Sequence, residues 1–168
     1  NTYTETRTVT LSEFGKATVR EEIAATGELE LGLRDGMDGS RKSQEDALKT
    51  YASSEYSGGK LRTFELTPSG DVGTPYRFVL DIDKAGIGET TLATATVSLG
   101  WGSLWKMLPA GILADSDDEE SDDKDDSDKD ADKHLRKAAL AVYTPFDSKL
   151  VYRIKLPAGF EATLPTLT

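Results

Sequence analysis

A chain of 168 residues with 30 acidic and 20 basic side chains, a net charge of −10, one His and no Cys has the length of a single domain. Without Cys it forms no disulfide framework, Cys-ligated zinc site, iron–sulfur cluster or thiol nucleophile, and one imidazole cannot build a multi-histidine metal site. The acidity is local: residues 115–132 hold 12 acidic and 2 basic side chains, while the remainder carries 18 of each.

Period-2 alternation dominates the pattern from the first residues onward. Residues 3–11 are rich in Thr and place Val9 and Leu11 on one parity, as a strand would. Glu13-Phe14-Gly15 is short enough to join this strand to a second as a hairpin, with Gly15 free to take positive φ. In that second strand Ala17, Val19, Ile23 and Ala25 share one parity and Thr18, Arg20 and Glu22 take the other. The pattern then changes. Ser43-Gln44-Glu45-Asp46 resembles a capping box with Asp in the place of Glu or Gln, and Ala47, Leu48, Tyr51 and Ala52 follow on one helical face. Gly58-Gly59 is a stop signal, so the spacing predicts one helix over 40–54.

Residues 60–66 read as a third strand. Tyr76, Phe78, Leu80 and Ile82 alternate with Arg77, Val79 and Asp81 in a fourth, and Gly86-Ile87-Gly88 is expected to turn the chain. Ala93, Ala95, Val97 and Leu99 form a fifth strand and residues 135–143 a less regular sixth. Leu150, Tyr152, Ile154 and Leu156, alternating with Lys149, Arg153 and Lys155, form a seventh. Short connections and one-sided polarity predict an α+β domain: a mostly antiparallel, sandwich-like sheet of about seven strands with one helix packed on a face. The domain spans 1–168 and is interrupted by an acidic loop insertion at 115–132. Both ends fall within strand-like alternation, which is expected of a piece cut from a longer polypeptide. No run approaches the roughly 20 apolar residues of a transmembrane helix, and no signal-peptide pattern opens the chain.

Few constellations carry chemistry. In the acidic segment Asp126, Asp128, Asp130 and Asp132 alternate as calcium loops often do. A loop register from Asp126, however, puts Ala131 where the turn Gly belongs and Lys137 where the bidentate Glu belongs. A solvated, self-repelling loop is the favoured reading, and its removal (residues 116–132) is expected to leave the fold intact. His134 lies between Lys133 and Leu135-Arg136-Lys137, with no Gly-x-Ser-x-Gly nucleophile elbow anywhere, and reads as an exposed strand-edge residue. Residues 101–108 hold both Trp residues with Leu104, Met107 and Leu108. Closure of the core is the favoured role for that stretch and a docking surface the alternative. Gly86-Ile87-Gly88 lacks the third glycine of a dinucleotide fingerprint, with Thr91 in its place. With the acidic segment set aside the chain is neutral, so it has no electrostatic footprint for nucleic acid.

The C-terminal third carries a resemblance. Ala141-Val142-Tyr143-Thr144-Pro145-Phe146, then the strand over 150–156, then Pro157-Ala158-Gly159-Phe160 and a further Leu164-Pro165 resemble a pattern of bacterial transglutaminase-like proteins. There, uncharacterised β-rich domains flank the transglutaminase-like core, and a strand ending in Leu-Pro-x-Gly-Phe recurs. The N-terminal hairpin, the 40–54 helix and the 61–66 strand look like the domain that follows that core. The resemblance implies a non-catalytic module of a larger envelope or secreted bacterial protein, in the periplasm or outside the cell. The family's core uses a Cys-His-Asp triad, and with no Cys here no catalytic residue carries over.

The leading expectation is therefore a structural or interaction module with no catalytic, cofactor-binding or metal-ligating residues and no cofactor. Its expected partners are neighbouring domains of the parent chain or another protein, with no nucleic acid and no transmembrane segment. A calcium-dependent binding module using the acidic loop is the alternative, and a stand-alone hydrolase comes third.

Overall fold

The computed structural model describes residues 1–103 and 145–163. Strands β1 (Thr2–Thr10) and β2 (Gly15–Thr26) form the expected hairpin, in antiparallel register from Thr2↔Thr26 to Thr10↔Thr18, with Gly15 at φ +89° in the turn. Two helices follow, α1 (Glu28–Gly36) and α2 (Arg41–Glu55), then β3 (Lys60–Leu66), β4 (Tyr76–Thr90), β5 (Ala95–Val97) and β6 (Asp147–Lys155). The six strands make one sheet in the order β3-β4-β2-β1-β6, with β5 paired to β4. Every pairing is antiparallel except β1 with β6, which runs parallel from Thr2↔Asp147 to Thr10↔Lys155. A parallel neighbour requires a crossover of about a dozen residues or more, and most of the chain lies between these two strands. The expected α+β class and mostly antiparallel sheet are thus present.

One face of this sheet is the core. Tyr3 and Val9 of β1, Val19 and Ile23 of β2, and Tyr76, Phe78, Leu80 and Ile82 of β4 are buried there with Leu48, Ala52 and Tyr56 from α2 and its cap. Residues 48, 51, 52 and 55 lie at helical spacing on the face of α2 that meets the sheet, whereas Ala47, expected on that face, is exposed. The opposite parity of β1 is Thr2, Thr4, Thr6, Thr8 and Thr10, so that strand turns a polar row to the other face of the sheet. Among the described residues there is one sheet and no second layer of strands, so the sandwich-like packing is absent from them. The strand expected over 135–143 lies outside the described residues.

Three local expectations are corrected. There are two helices rather than one. In α1, Leu29, Leu31 and Leu33 alternate like a strand and Gly32 weakens the helical pattern, but other contacts decide the outcome. Asn1 Oδ1 accepts a hydrogen bond from the Glu28 amide at 2.8 Å, and Arg34 pairs with Glu30 one turn earlier at 2.7 Å. Leu29 and Leu33 then pack on the core while Leu31 faces solvent. The cap of α2 is Ser40, whose hydroxyl accepts from the Ser43 amide at 3.2 Å, so Ser43 is the third helical residue rather than the cap. Finally, Gly86-Ile87-Gly88 is not a turn. Strand β4 continues through it with irregular register against β2, and the chain reverses at residues 91–94, where the Thr91 amide donates to Thr94 O at 2.7 Å. The two glycines serve close approach instead. A Cβ on Gly86 would lie 2.8 Å from Ser57 O, and one on Gly88 would lie 2.9 Å from Ala17 Cβ and Leu11 Cδ2.

Candidate functional site

The inward parity of β1 reads Tyr3, Glu5, Arg7, Val9, and that of β2 reads Ala17, Val19, Glu21, Ile23, Ala25. Three of these buried positions are charged, with Glu5 1 %, Arg7 3 % and Glu21 0 % exposed. A charge removed from water needs partners, and the strand registers bring them together. Arg7 stands opposite Glu21 on β2 and opposite Tyr152 on β6.

The guanidinium of Arg7 is the hub. Its Nε donates to Glu5 Oε1, its Nη2 to Glu55 Oε1 at 2.8 Å and its Nη1 to the Tyr152 hydroxyl at 3.3 Å. Its Nη2 also lies 3.9 Å from Glu21 Oε1. Tyr56 and Tyr152 present their rings to it at 5.3 and 5.8 Å. Around that hub the Tyr3 hydroxyl donates to Glu5 Oε2 at 3.0 Å and the Tyr51 hydroxyl to Glu21 Oε1 at 2.7 Å. Tyr152 in turn donates to Gly100 O at 2.8 Å, tying the segment after β5 to β6. The group therefore connects β1, β2, β6 and the last turn of α2. Within this group, Glu21 Oε2 and the Tyr56 hydroxyl have no geometric hydrogen-bond partner among the described residues.

Burial dominates the electrostatics. It raises Glu21 to about 7, opposed by the Tyr51 hydrogen bond, reinforced by the neighbouring Glu5 and opposed again by Arg7. Burial also pushes the Tyr3, Tyr51 and Tyr56 phenols far above their ordinary range, so all three remain neutral donors at physiological pH. For Arg7, burial works against the charge, but Tyr56, the nearby carboxylates and the Glu55 hydrogen bond outweigh it and keep the guanidinium protonated. The arrangement holds charge and a proton in place. Glu5, Arg7 and Glu21 are themselves almost wholly withdrawn from solvent.

A second buried cation behaves in the same way. Arg34 donates to Glu30 Oε1 from α1 and to the carbonyls of Pro68, Ser69 and Thr74, fastening the connection between β3 and β4 to that helix. An open groove of about 390 Å³ between α2 and β3 is lined by Arg41, Glu45, Lys49, Leu61, Arg62 and Phe64, among others. Arg41 donates to Phe64 O and Lys49 pairs with Glu45, so much of its polarity is used internally.

The outer face differs from strand to strand. Arg20, Arg62 and Arg77, on β2, β3 and β4, each lie within 4.0 Å of a carboxylate, from Glu22, Asp81 or Asp83. On β6, Lys149, Arg153 and Lys155 share the face of Thr4, Thr8 and Thr10, are exposed, and have no ion-pair partner among the described residues.

Of the candidates read from the sequence, the acidic segment 115–132, His134 and residues 104–108 lie outside the described residues. Trp101 is described and is 62 % exposed, so it does not close the core. Among the described residues no cluster of His, Cys, Asp and Glu could hold a metal ion, and no helix is long and apolar enough to cross a membrane. The buried cluster was missed by the sequence reading, although its signal was there. Glu5, Arg7 and Glu21 occupy the apolar parity of two strands joined by one hairpin, and the hairpin register sets Arg7 opposite Glu21. Comparisons with protein-family models, curated proteins and solved structures find no match to this chain.

Proposed function

We propose that this chain is a non-catalytic structural or interaction module accompanying a transglutaminase-like catalytic domain in a bacterial envelope or secreted protein. The family part of this reading rests on the Leu156-Pro157-Ala158-Gly159-Phe160 pattern and the elements that resemble the flanking domain. The same reading keeps a seventh strand over 135–143, and with it a second layer of a sandwich-like sheet, from the strand-like pattern there. The non-catalytic part is supported by chemistry: the chain has no thiolate to attack an amide, and the buried carboxylates at Arg7 are sealed from solvent.

The observation that carries the interaction role is the contrast on the outer face. Arginines on β2, β3 and β4 are matched by acids, while Lys149, Arg153 and Lys155 on β6 have no ion-pair partner among the described residues and stand beside a row of Thr hydroxyls. Side chains two apart on a strand repeat at about 6.8 Å, so Arg153 and Lys155 are neighbours on this face and Lys149 lies beyond Val151 in the same row. Its occupant in this reading is an acidic surface of the neighbouring domain of the parent chain, chosen by charge complementarity.

Titrating the separately produced neighbouring domain into this chain tests the proposal. Saturable binding that weakens as salt rises supports it, and no binding removes the interaction role. Turnover of amine-donor or peptide substrates by the isolated chain, lost in His134→Ala, would overturn the non-catalytic part.

A further inference from the structure

We propose that the Glu5–Arg7–Glu21–Glu55 cluster is a pH-sensitive latch that holds the last turn of α2 against the sheet and loosens it when Glu21 loses its proton. The inference is independent of what the outer face binds. Three carboxylates surround a single guanidinium, and two of them are 0–1 % exposed. Fully ionised, these groups would enclose more negative than positive charge in a medium that screens it poorly.

Glu21 is the carboxylate with the weakest claim on the cation. Arg7 directs its donors to Glu5, Glu55 and Tyr152, leaving Glu21 Oε1 at 3.9 Å and Glu21 Oε2 with no geometric hydrogen-bond partner among the described residues. Its Oε1 accepts from the Tyr51 hydroxyl of α2 at 2.7 Å, and the Tyr56 phenol also lowers its proton affinity. The groups facing it are Tyr3, Glu5 and Arg7 from β1, Tyr51 and Glu55 of α2 with the cap residue Tyr56, and Tyr152 at the far side of Arg7. Its register partner on β4 is the apolar Leu80. A proton on Glu21 removes one buried negative charge without disturbing either the Tyr51 contact or the Arg7–Glu55 bond.

The direction of the pH effect follows. The folded protein holds the Glu21 proton up to about 7, whereas an unfolded or opened chain releases it near 4.5. Folded and closed forms therefore bind more protons across that interval, and stability falls as pH rises through it. The contribution is complete below about pH 4.5 and lost above about pH 7.

Amide hydrogen exchange of α2, corrected for the intrinsic pH dependence of exchange, tests the latch at pH values of about 5.5 and 8. The opening constant of residues 48–55 is expected to rise by roughly tenfold or more in the native chain and in the control Glu22→Gln, whose carboxylate lies on the outer face. In Glu21→Gln the rise is expected to vanish. An equal rise in Glu21→Gln overturns the proposal. Should that variant not fold, carboxyl-carbon NMR of the native chain decides: a Glu21 midpoint near 7 supports the latch, and one below 5 overturns it.

Discussion

Arg7 occupies a position that the alternation of β1 reserves for an apolar side chain, and its surroundings explain why it is tolerated. Its guanidinium donates to Glu5, Glu55 and Tyr152 and lies near two tyrosine rings. A Lys cannot reproduce that fork, so Arg7→Lys is not a conservative change at this site. Arg7→Met leaves two nearly inaccessible carboxylates without their cation, and removing one partner of a buried pair costs about 3–5 kcal/mol. A urea unfolding free energy lowered by that amount is the expected outcome, and a value within about 1 kcal/mol of the native chain would show that the cluster relaxes freely. This cluster was only partly legible in the sequence. The charged residues on the inward parity were visible, but their common meeting point requires Glu55 and Tyr51 from a helix and Tyr152 from a strand far along the chain. Spacing within β1 and β2 carries no information about those partners.

At the scale of elements, legibility followed the strength of the local periodic signal. The β1–β2 hairpin, α2, β3 and the first half of β4 are where the alternation and the helical stripe place them, because each buries one face and their sequences are consistent along that face. Helix α1 was hidden because Leu29, Leu31 and Leu33 mimic a strand. What selects the helix is the cap from Asn1 and the anchoring of Arg34, one remote in sequence and the other dependent on the β3–β4 connection. Gly86 and Gly88 were read as a turn because glycine pairs usually mark one, yet here they let a continuous strand pass tightly against its neighbours. The Gly86 amide also donates to Tyr56 O at 2.7 Å, joining β4 to the residue that caps α2. Gly86→Ala drives its methyl into backbone at Ser57 and is expected to destabilise the fold by about 1–3 kcal/mol, with the exchange protection of α2 falling at the same time. Native-like stability in that variant would mean that the α2–β4 contact yields without cost.

Among the described residues, one sheet carries helices on a single face, and the Thr row of β1 lies on the other. The core is assembled from β1 to β4 with α1 and α2, and the parallel β6 adds Tyr152 at its border. Residues 116–132 contain no apolar side chain larger than Ala131, so their deletion removes little burial, and loop-closure cost changes slowly with length. The deletion variant is expected to keep a single cooperative thermal transition, and loss of cooperativity would show that the acidic segment is structurally integrated. The outer face carries the functional reading, because its arginines on β2, β3 and β4 are paired with acids while Lys149, Arg153 and Lys155 of β6 have no ion-pair partner among the described residues. Reversing those three together, as Lys149→Glu, Arg153→Glu and Lys155→Glu, changes exposed side chains of an edge strand and spares the core. Calorimetric titration of the neighbouring domain of the parent chain into the native and triple-variant proteins, at low and high salt, tests that reading most directly. The account predicts binding by the native chain that weakens with salt and is at least about tenfold weaker in the triple variant, a loss of roughly 1.4 kcal/mol. Equal affinity for both proteins at both salt concentrations would contradict it.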